Sequence, residues 1–212
     1  MKLVIGNKNY SSWSLRPWLL MRVAGLDFEE ERIALFVDGM DEQIRQFSAA
    51  GKVPVLLDGD TVVWDSLAIC EYIAESNTAL WPSARDARAV ARSVCAEMHS
   101  GFEHLRGQMP MNCRRDEALD HIDHALQSDI DRVCEIWRDC RSKFASSGEY
   151  LFGAFSVADA MFAPVVLRFN SYRVDAGERG NAYMKTILAM PELQEWITAG
   201  QAESEVIAQA EV

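Results

Sequence analysis

The sequence predicts an α/β domain over residues 1–80 followed by an all-helical domain over residues 81–212. Strand patterns occur only in the first part, which closes on a hairpin signal, whereas apolar residues recur at helical spacing through the rest of the chain. The stretch SNTALWPSARD joins the two parts, with Pro82 as a break. A chain of 212 residues is long enough to bury a proper core in such an arrangement.

The first domain is predicted to follow the order β-α-β-α-β-β-α. The first strand lies in LVIGN and the first helix in SLRPWLLMRVAGL, which ends at Gly25. The next pair lies in FEEERIAL and in DEQIRQFSAA, which ends at Gly51. Two further strands, VPVLL and TVVW, flank Asp58 and Gly59, a dipeptide typical of hairpin turns. An amphipathic helix in SLAICEYIAES completes this domain.

The second domain contains helical patterns and no strand pattern. Long helices are predicted in SARDARAVARSVCAEMHSGFEHLRG and in DEALDHIDHALQSDIDRVCEIWRDCRSKFA. Two more are predicted in SVADAMFAPVVLRFNSYR and PELQEWITAGQAESE, and ASSGEYLFGAF is expected to be a loop.

The composition narrows the possible functions. Lys and Arg number 21 against 32 Asp and Glu, and the net charge of −11 argues against nucleic-acid partners and against an anionic membrane surface. The first apolar run breaks at Gly6, too early for a signal peptide, and no stretch is long enough to span a membrane. The five cysteines form no C-x-x-C pair, so we expect reduced thiols in a cytoplasmic protein and no metal site.

The stretch KVPVLLDGDTVVWDS predicts a receptor for a small extended peptide. A proline at the start of a strand, Pro54, belongs at an edge, a turn or a cis bond, and it leaves the N–H and C=O of Val53 free to pair with a ligand. Further on, Ser66 at a helix N-terminus suits a carboxylate, and Asp65 beside it suits an ammonium group. Taken singly, Pro54 also fits a plain strand start and Ser66 a plain N-cap.

These motifs, in this order, resemble the glutathione transferase family over nearly the whole chain. The VP pair is similar to the family's cis-proline, which holds the cysteinyl backbone of glutathione, and the DS pair to the residues that hold its γ-glutamyl end. In the second domain FSVADAMFAP resembles the family's N-capping box, in which Ser156 caps the helix and Asp159 reaches back to the Ser156 N–H. The resemblance implies a thioredoxin-like α/β domain, an all-α domain and a homodimer.

The stretch YSSWSLRPWLL places four hydroxyls at the first strand-to-helix junction. In serine-type members of the family a seryl hydroxyl at this place donates a hydrogen bond to the glutathione sulfur, which lowers the pKa of that thiol. The stretch is similar to the SSC signature of zeta-like transferases, and this implies Ser11 as the catalytic donor and Ser12 as the second candidate. Trp13 stands where that signature has cysteine. Ser14 is assigned to capping, and Tyr10 is a rival donor.

Other candidate residues lie further along the chain. Lys52 can reach the glycyl carboxylate of glutathione or can be a solvated surface charge. A second-substrate pocket between the domains is expected to include Trp13, Met109 and Met111, although the two methionines also fit simple packing. Arg16 faces either the cleft or water.

The sequence therefore predicts a cytoplasmic glutathione transferase that uses glutathione as co-substrate against a small electrophile. The alternatives are a glutathione-dependent isomerase of the maleylacetoacetate kind and a non-catalytic relative that binds a protein or ligand. Detoxification and a dedicated catabolic step are both roles that this machinery can serve. The second substrate and the choice between Ser11 and Ser12 are left open at this stage.

Overall fold

Four strands in the first part of the chain form one mixed sheet in the computed structural model, which describes residues 1–145 and 148–212. They are β1 (Lys2–Ile5), β2 (Glu29–Arg32), β3 (Val55–Asp58) and β4 (Thr61–Val63). The strand order is β2-β1-β3-β4, with β1 parallel to β2 and antiparallel to β3, and β3 antiparallel to β4. Gly59 takes a positive φ of 57° in the predicted hairpin turn.

Within the described residues, α-helices connect β1 to β2 and β2 to β3, and after β4 the chain consists of helices and the loops between them. The α-helices are α1 (Ser12–Val23), α2 (Met40–Arg45), α3 (Ser66–Ser76), α4 (Arg85–Ser100), α5 (Glu103–Gln108), α6 (His124–Phe144), α7 (Val157–Ser171), α8 (Gly177–Leu188) and α9 (Pro191–Ala202). The predicted order of the first part and the helical second part are confirmed. Across residues 1–145 and 148–212, no helix combines the length and the apolar content that crossing a bilayer requires.

The long helix predicted from the Ala- and Arg-rich stretch is two helices, α4 and α5. Gly101 is extended, and Phe102 takes a left-handed φ of 63°, so the helical hydrogen-bond ladder stops between them. The bend buries Phe102 and Leu105 in the core. The helix breaks here so that these two side chains can be buried. Helical periodicity in the sequence does not reveal such a break.

Other boundaries also differ from the sequence prediction. Helix α6 begins eight residues later than predicted, because Asp123 caps it and Glu117 donates its N–H to the carbonyl of Ser171 instead. Strand β2 ends at Arg32 rather than at Leu35. Helix α8 was not predicted, although Tyr183, Met184 and Ile187 give it a buried face. The predicted loop ASSGEYLFGAF includes residues 146–147, which lie outside the described residues.

The main hydrophobic core runs through both parts of the chain. Helix α1 packs against α3, α7 and α9, and most of its residues are buried, including the continuous stretch of residues 15–21. The indoles of Trp18 and Trp196 meet edge to face, with ring centroids 5.1 Å apart. This core contains residues from both sides of position 80. The domain boundary near that position therefore stays a prediction. The start of α1 is held where the two parts meet.

The predicted capping box of α7 is present. The completely buried carboxylate of Asp159 accepts the Ser156 N–H at 2.9 Å and also the Leu151 N–H at 3.0 Å. The hydroxyls of Ser156 and Tyr183 donate to it at 3.0 and 3.2 Å. Burial raises the pKa of Asp159 to about 6 and outweighs these four hydrogen bonds, which favour the ionised form. Asp159 therefore ties α7 to α8 and to the segment before α7.

Replacing Asp159 with Ala is expected to lower the free energy of unfolding by about 3 kcal/mol, because several buried donors lose their acceptor. Asp86, in the first turn of α4, is exposed and its side chain makes no hydrogen bond to a described residue, so Asp86→Ala is the matched control and should cost less than about 0.5 kcal/mol. Denaturant unfolding measures both changes. Equal effects of the two substitutions would contradict the anchoring role of Asp159.

Candidate active site

A hydroxyl network fixes the junction between β1 and α1. Ser11 is the N-cap of α1, and its Oγ accepts the Ser14 N–H at 3.4 Å and donates to Ser14 Oγ at 2.8 Å. Ser14 Oγ in turn accepts the N–H of Gly6, at 3.1 Å. Both side chains are buried. Ser11, not Ser14, is therefore the capping residue, which corrects the assignment made from the sequence, and Ser14 instead ties the first turn of α1 to the residue after β1.

Ser12, the first residue of α1, is held from the second part of the chain. Its Oγ accepts a hydrogen bond from Nη2 of Arg168, which lies on α7, at 3.2 Å. Arg168 is also buried and donates to the carbonyl of Met109. The Ser12 hydroxyl donates to no other described residue. Its proton therefore has no acceptor within the described residues.

A cavity of about 480 Å³ lies between the strand–helix junctions and α4. Its lining includes six residues that the sequence predicted for the site: Trp13, Lys52, Val53, Pro54, Asp65 and Ser66. Ser11 and Ser12 are adjacent to Trp13 in the chain but do not line the cavity. The structure therefore brings together the predicted peptide receptor and the start of α1.

The segment before β3 presents free backbone groups to the cavity. The Val53–Pro54 bond is cis, and the N–H and C=O of Val53 make no hydrogen bond to another described residue. Lys52 next to them is exposed and has no carboxylate partner among the residues described. An extended peptide can pair with Val53 here, as the sequence predicted.

The head of α3 carries the second half of the receptor. Asp65 is the N-cap, and its Oδ1 accepts the N–H groups of Leu67 and Ala68 at 3.1 and 3.3 Å. Ser66 Oγ is completely buried and has no hydrogen-bond partner in the part of the chain that the structure describes. An unpaired buried hydroxyl is unfavourable, so this position suits a ligand oxygen next to the positive end of the helix dipole.

His99 is a site residue that sequence reasoning missed. It lies on α4, and its Nε2 is 2.8 Å from Oδ2 of Asp65. Its ring meets the indole of Trp13 edge to face, with centroids 5.3 Å apart. No spacing in the sequence relates His99 to residues of the first part, because the contact is made only when α4 packs beside α3. His99 therefore joins the two parts of the chain at the cavity.

Three arginines surround the first turn of α1. The guanidinium carbons of Arg16 and Arg106 lie 4.4 and 4.6 Å from the ring centroid of Trp13, and Arg168 contacts Ser12. Arg16 is completely buried, so it faces neither water nor the open cleft. Burial lowers the pKa of both Arg16 and Arg168 to about 9. Arg168 is not among the residues predicted from the sequence. Its signal in the sequence is a charged residue within the largely apolar run VVLRFN.

Several candidates lie away from the cavity. Met109 and Met111 are buried in the main core and do not line it, because the α5–α6 connection folds inward under α7. This corrects their assignment to a second-substrate pocket. The hydroxyl of Tyr10 donates to Glu211 and accepts from Arg114, which also holds the backbone of the C-terminal segment. Tyr10 is thus engaged elsewhere.

Four of the five cysteines are buried, and Cys134 is of intermediate burial. All five are unpaired, and none lines the cavity. Burial raises the pKa of Cys70, Cys113 and Cys140 to about 12, that of Cys134 to about 11, and that of Cys95 well above its ordinary value. Since the thiolate is the reactive form, a sulfur nucleophile in this cavity has to come from a ligand.

The native protein is therefore expected to react slowly with a thiol reagent at pH 8, and Cys134, the only cysteine of intermediate burial, should be labelled first. Mass spectrometry of the labelled peptides checks this order, with Cys134→Ser as the matched variant and the denatured chain as the fully reactive reference. Fast labelling of Cys70 or Cys95 in the native protein would contradict the packing around α1.

Comparison with known proteins points to one family. Residues 10–76 match the family model of the glutathione S-transferase N-terminal domain. Glutathione S-transferase 1 of Dianthus caryophyllus is 25% identical over 186 residues, which cover 84% of this chain and 82% of that protein. A probable maleylacetoacetate isomerase of Caenorhabditis elegans is 24% identical over 169 residues, 78% of each chain.

Solved structures share the whole fold. A glutathione transferase homologue from Burkholderia gl BGR1 with bound glutathione superposes with a TM-score of 0.72 at 21% identity, over 95% of this chain and 98% of its own. A bacterial zeta-class maleyl pyruvate isomerase superposes with a TM-score of 0.73 at 19% identity, over 97% of this chain and 100% of its own. The predicted fold, a thioredoxin-like α/β part followed by an all-helical part, is confirmed.

Proposed function

We propose that this chain, which carries a glutathione S-transferase N-terminal domain on a glutathione transferase fold, ionises the thiol of bound glutathione for attack on a small electrophile. One observation carries the proposal. The free backbone of Val53, the carboxylate of Asp65 and the unpartnered hydroxyl of Ser66 meet in a single cavity at the start of α1. Neighbouring structures that hold glutathione support it.

Each end of the tripeptide has a complementary group in this cavity. The γ-glutamyl carboxylate is placed on Ser66 Oγ at the N-terminus of α3, and its ammonium group near Asp65. The cysteinyl backbone pairs with the N–H and C=O of Val53. Lys52, exposed beside Val53, takes the glycyl carboxylate. This arrangement brings the cysteinyl sulfur toward the first turn of α1.

A seryl hydroxyl of α1 then stabilises the thiolate. Ser11 is the donor by similarity to the zeta-like signature, but its proton is shared with Ser14. Ser12 accepts from the guanidinium of Arg168 and keeps its own proton free, so we favour Ser12 as donor and retain Ser11 as the second candidate. An ordinary cysteine thiol has a pKa of about 8.5, and lowering it by roughly two units makes most of the sulfur ionised at neutral pH.

The reaction needs no nucleophile from the protein. The S–H bond of glutathione breaks, its proton passes to solvent, and the sulfur keeps the electron pair. That pair forms the new sulfur–carbon bond, while the leaving group departs with the electrons of the bond that breaks. Trp13 lines the cavity where the electrophile approaches and supplies an apolar surface.

Isomerisation is the second candidate function, and the similarity to a probable maleylacetoacetate isomerase and to a maleyl pyruvate isomerase favours it. In that reaction the thiolate adds to one carbon of a cis double bond, the resulting single bond rotates, and the thiolate leaves as the trans bond forms. The protein groups are the same in both reactions. Turnover of maleylacetoacetate distinguishes the isomerase from a transferase.

We also propose the oligomeric state, the cellular location and the role of the protein. The chain acts as a homodimer in the cytoplasm, in detoxification, with no metal. Exposed apolar side chains close to the cavity support an interface, since Phe36 and Trp64 are 66% and 54% exposed. Five unpaired cysteines fit a reducing compartment.

Ser66→Ala is expected to weaken glutathione binding roughly tenfold or more, since a hydrogen bond to a charged carboxylate is lost. Because Ser66 Oγ has no partner within the described residues, the same change should leave the unfolding free energy nearly unchanged. Titration calorimetry with glutathione measures the affinity, and Ser76→Ala at the exposed end of α3 is the control. Unchanged affinity in Ser66→Ala would remove the proposed γ-glutamyl site, and absence of any binding to the parent would favour a non-catalytic protein.

Ser12→Ala is expected to raise the pKa of the bound glutathione thiol by about one unit or more, with little change in affinity at low pH where the sulfur is protonated. The ultraviolet absorbance of the thiolate as a function of pH gives that pKa. Ser11→Ala should shift it less. If only Ser11→Ala raises the pKa, Ser11 is the donor, and if neither variant does, the serine mechanism fails.

A further inference from the structure

Three arginines that form no contact ion pair within the described residues lie behind the wall of the cavity, and the carboxylate of Asp129 acts on one of them, Arg106, from beyond contact distance. Arg16 on α1, Arg106 on α5 and Arg168 on α7 converge on Trp13 and Ser12. Among the residues that the structure describes, no carboxylate lies within 4.0 Å of these three side chains, whereas other arginines of the chain have such partners. The chain has 32 acidic residues, so carboxylates are not scarce.

Arg16 is the least satisfied of the three. It is completely buried, and its Nε and Nη1 have no hydrogen-bond partner in the described chain. The thiols of Cys70 and Cys95 lie near it, but burial raises the pKa of both, so they remain neutral and bring no negative charge. The other charged neighbours, Arg106 and Arg168, are positive as well. Burying a guanidinium without an anion is costly, and residues 1–145 and 148–212 offer Arg16 no anion in contact.

Trp13 connects this charge to the cavity. Its indole is stacked by the guanidinium of Arg16 and also lines the cavity together with Val53 and Pro54. Apolar groups screen charge far less than water does, so the positive potential of Arg16 reaches the cavity wall. The N-terminus of the 12-residue helix α1 adds its dipole at the same place.

We infer that Arg16 is the main positioning residue for the negative charge on the glutathione sulfur, with Arg106 and Arg168 reinforcing it. Arg16 acts through Trp13 and through the potential at the start of α1, and it does not touch the sulfur. The inference rests on the proposed function, since the anion that balances the cluster is the thiolate. It adds a charge-based contribution to the hydrogen bond from the serine hydroxyl.

The test is the pKa of the bound glutathione thiol, read from thiolate absorbance without any second substrate. Arg16→Met removes the charge and should raise this pKa by about one unit or more, whereas Arg16→Lys should keep it close to the parent value. The matched control is Arg22→Met on the same helix, because Arg22 is exposed and paired with Glu195. This control should leave the thiol pKa unchanged.

Binding of S-methylglutathione separates the charge effect from damage to the site. This ligand has no ionisable sulfur, so Arg16→Met should bind it as tightly as the parent does. If Arg16→Met does not fold, the partly buried Arg106 provides the test, and Arg106→Met should raise the thiol pKa while Arg22→Met does not. A parent that binds glutathione and lowers its thiol pKa, with an unchanged pKa in the folded arginine variants, would overturn this inference and leave the proposed function standing. A parent that does not bind glutathione would overturn both.

Discussion

The seating of the first turn of α1 between the sheet and α7 is the constraint on which the site depends. Ser11 and Ser14 tie the turn to the end of β1 through Gly6, and Arg168 holds Ser12 from the opposite side. Because α1 is buried along most of its length, this turn has little freedom to move. The two parts of the chain thus form one core, and the helical part takes a direct share in placing the residues of the α/β part.

Local chemistry made much of this arrangement predictable. A proline opening a strand, a serine at a helix start and an S-x-x-D box each allow only a few local structures, and the structure has Pro54 after a cis bond, Ser66 in the first turn of α3 and Asp159 in a capping box. The α4–α5 break, the burial of Met109 and the contact of His99 with Asp65 depend on how distant elements pack. Periodicity along one helix carries no information about such contacts.

The sign of the charge near the site differs from that of the molecule as a whole. The chain as a whole has a net charge of −11, yet its interior beside the cavity holds arginines without carboxylate partners among the described residues. Its own thiols are neutral because they are buried. The protein thereby keeps its own sulfur unreactive, and in the proposed function the N-terminus of α1 is the place where the sulfur of a bound ligand is stable as an anion.

A crystal structure of the chain with bound glutathione tests the central claim most directly. The account predicts the γ-glutamyl carboxylate on Ser66 Oγ, the cysteinyl backbone paired with Val53, and the sulfur within about 3.5 Å of a seryl hydroxyl in the first turn of α1. A tripeptide bound elsewhere, or a sulfur that faces neither Ser11 nor Ser12, would contradict it.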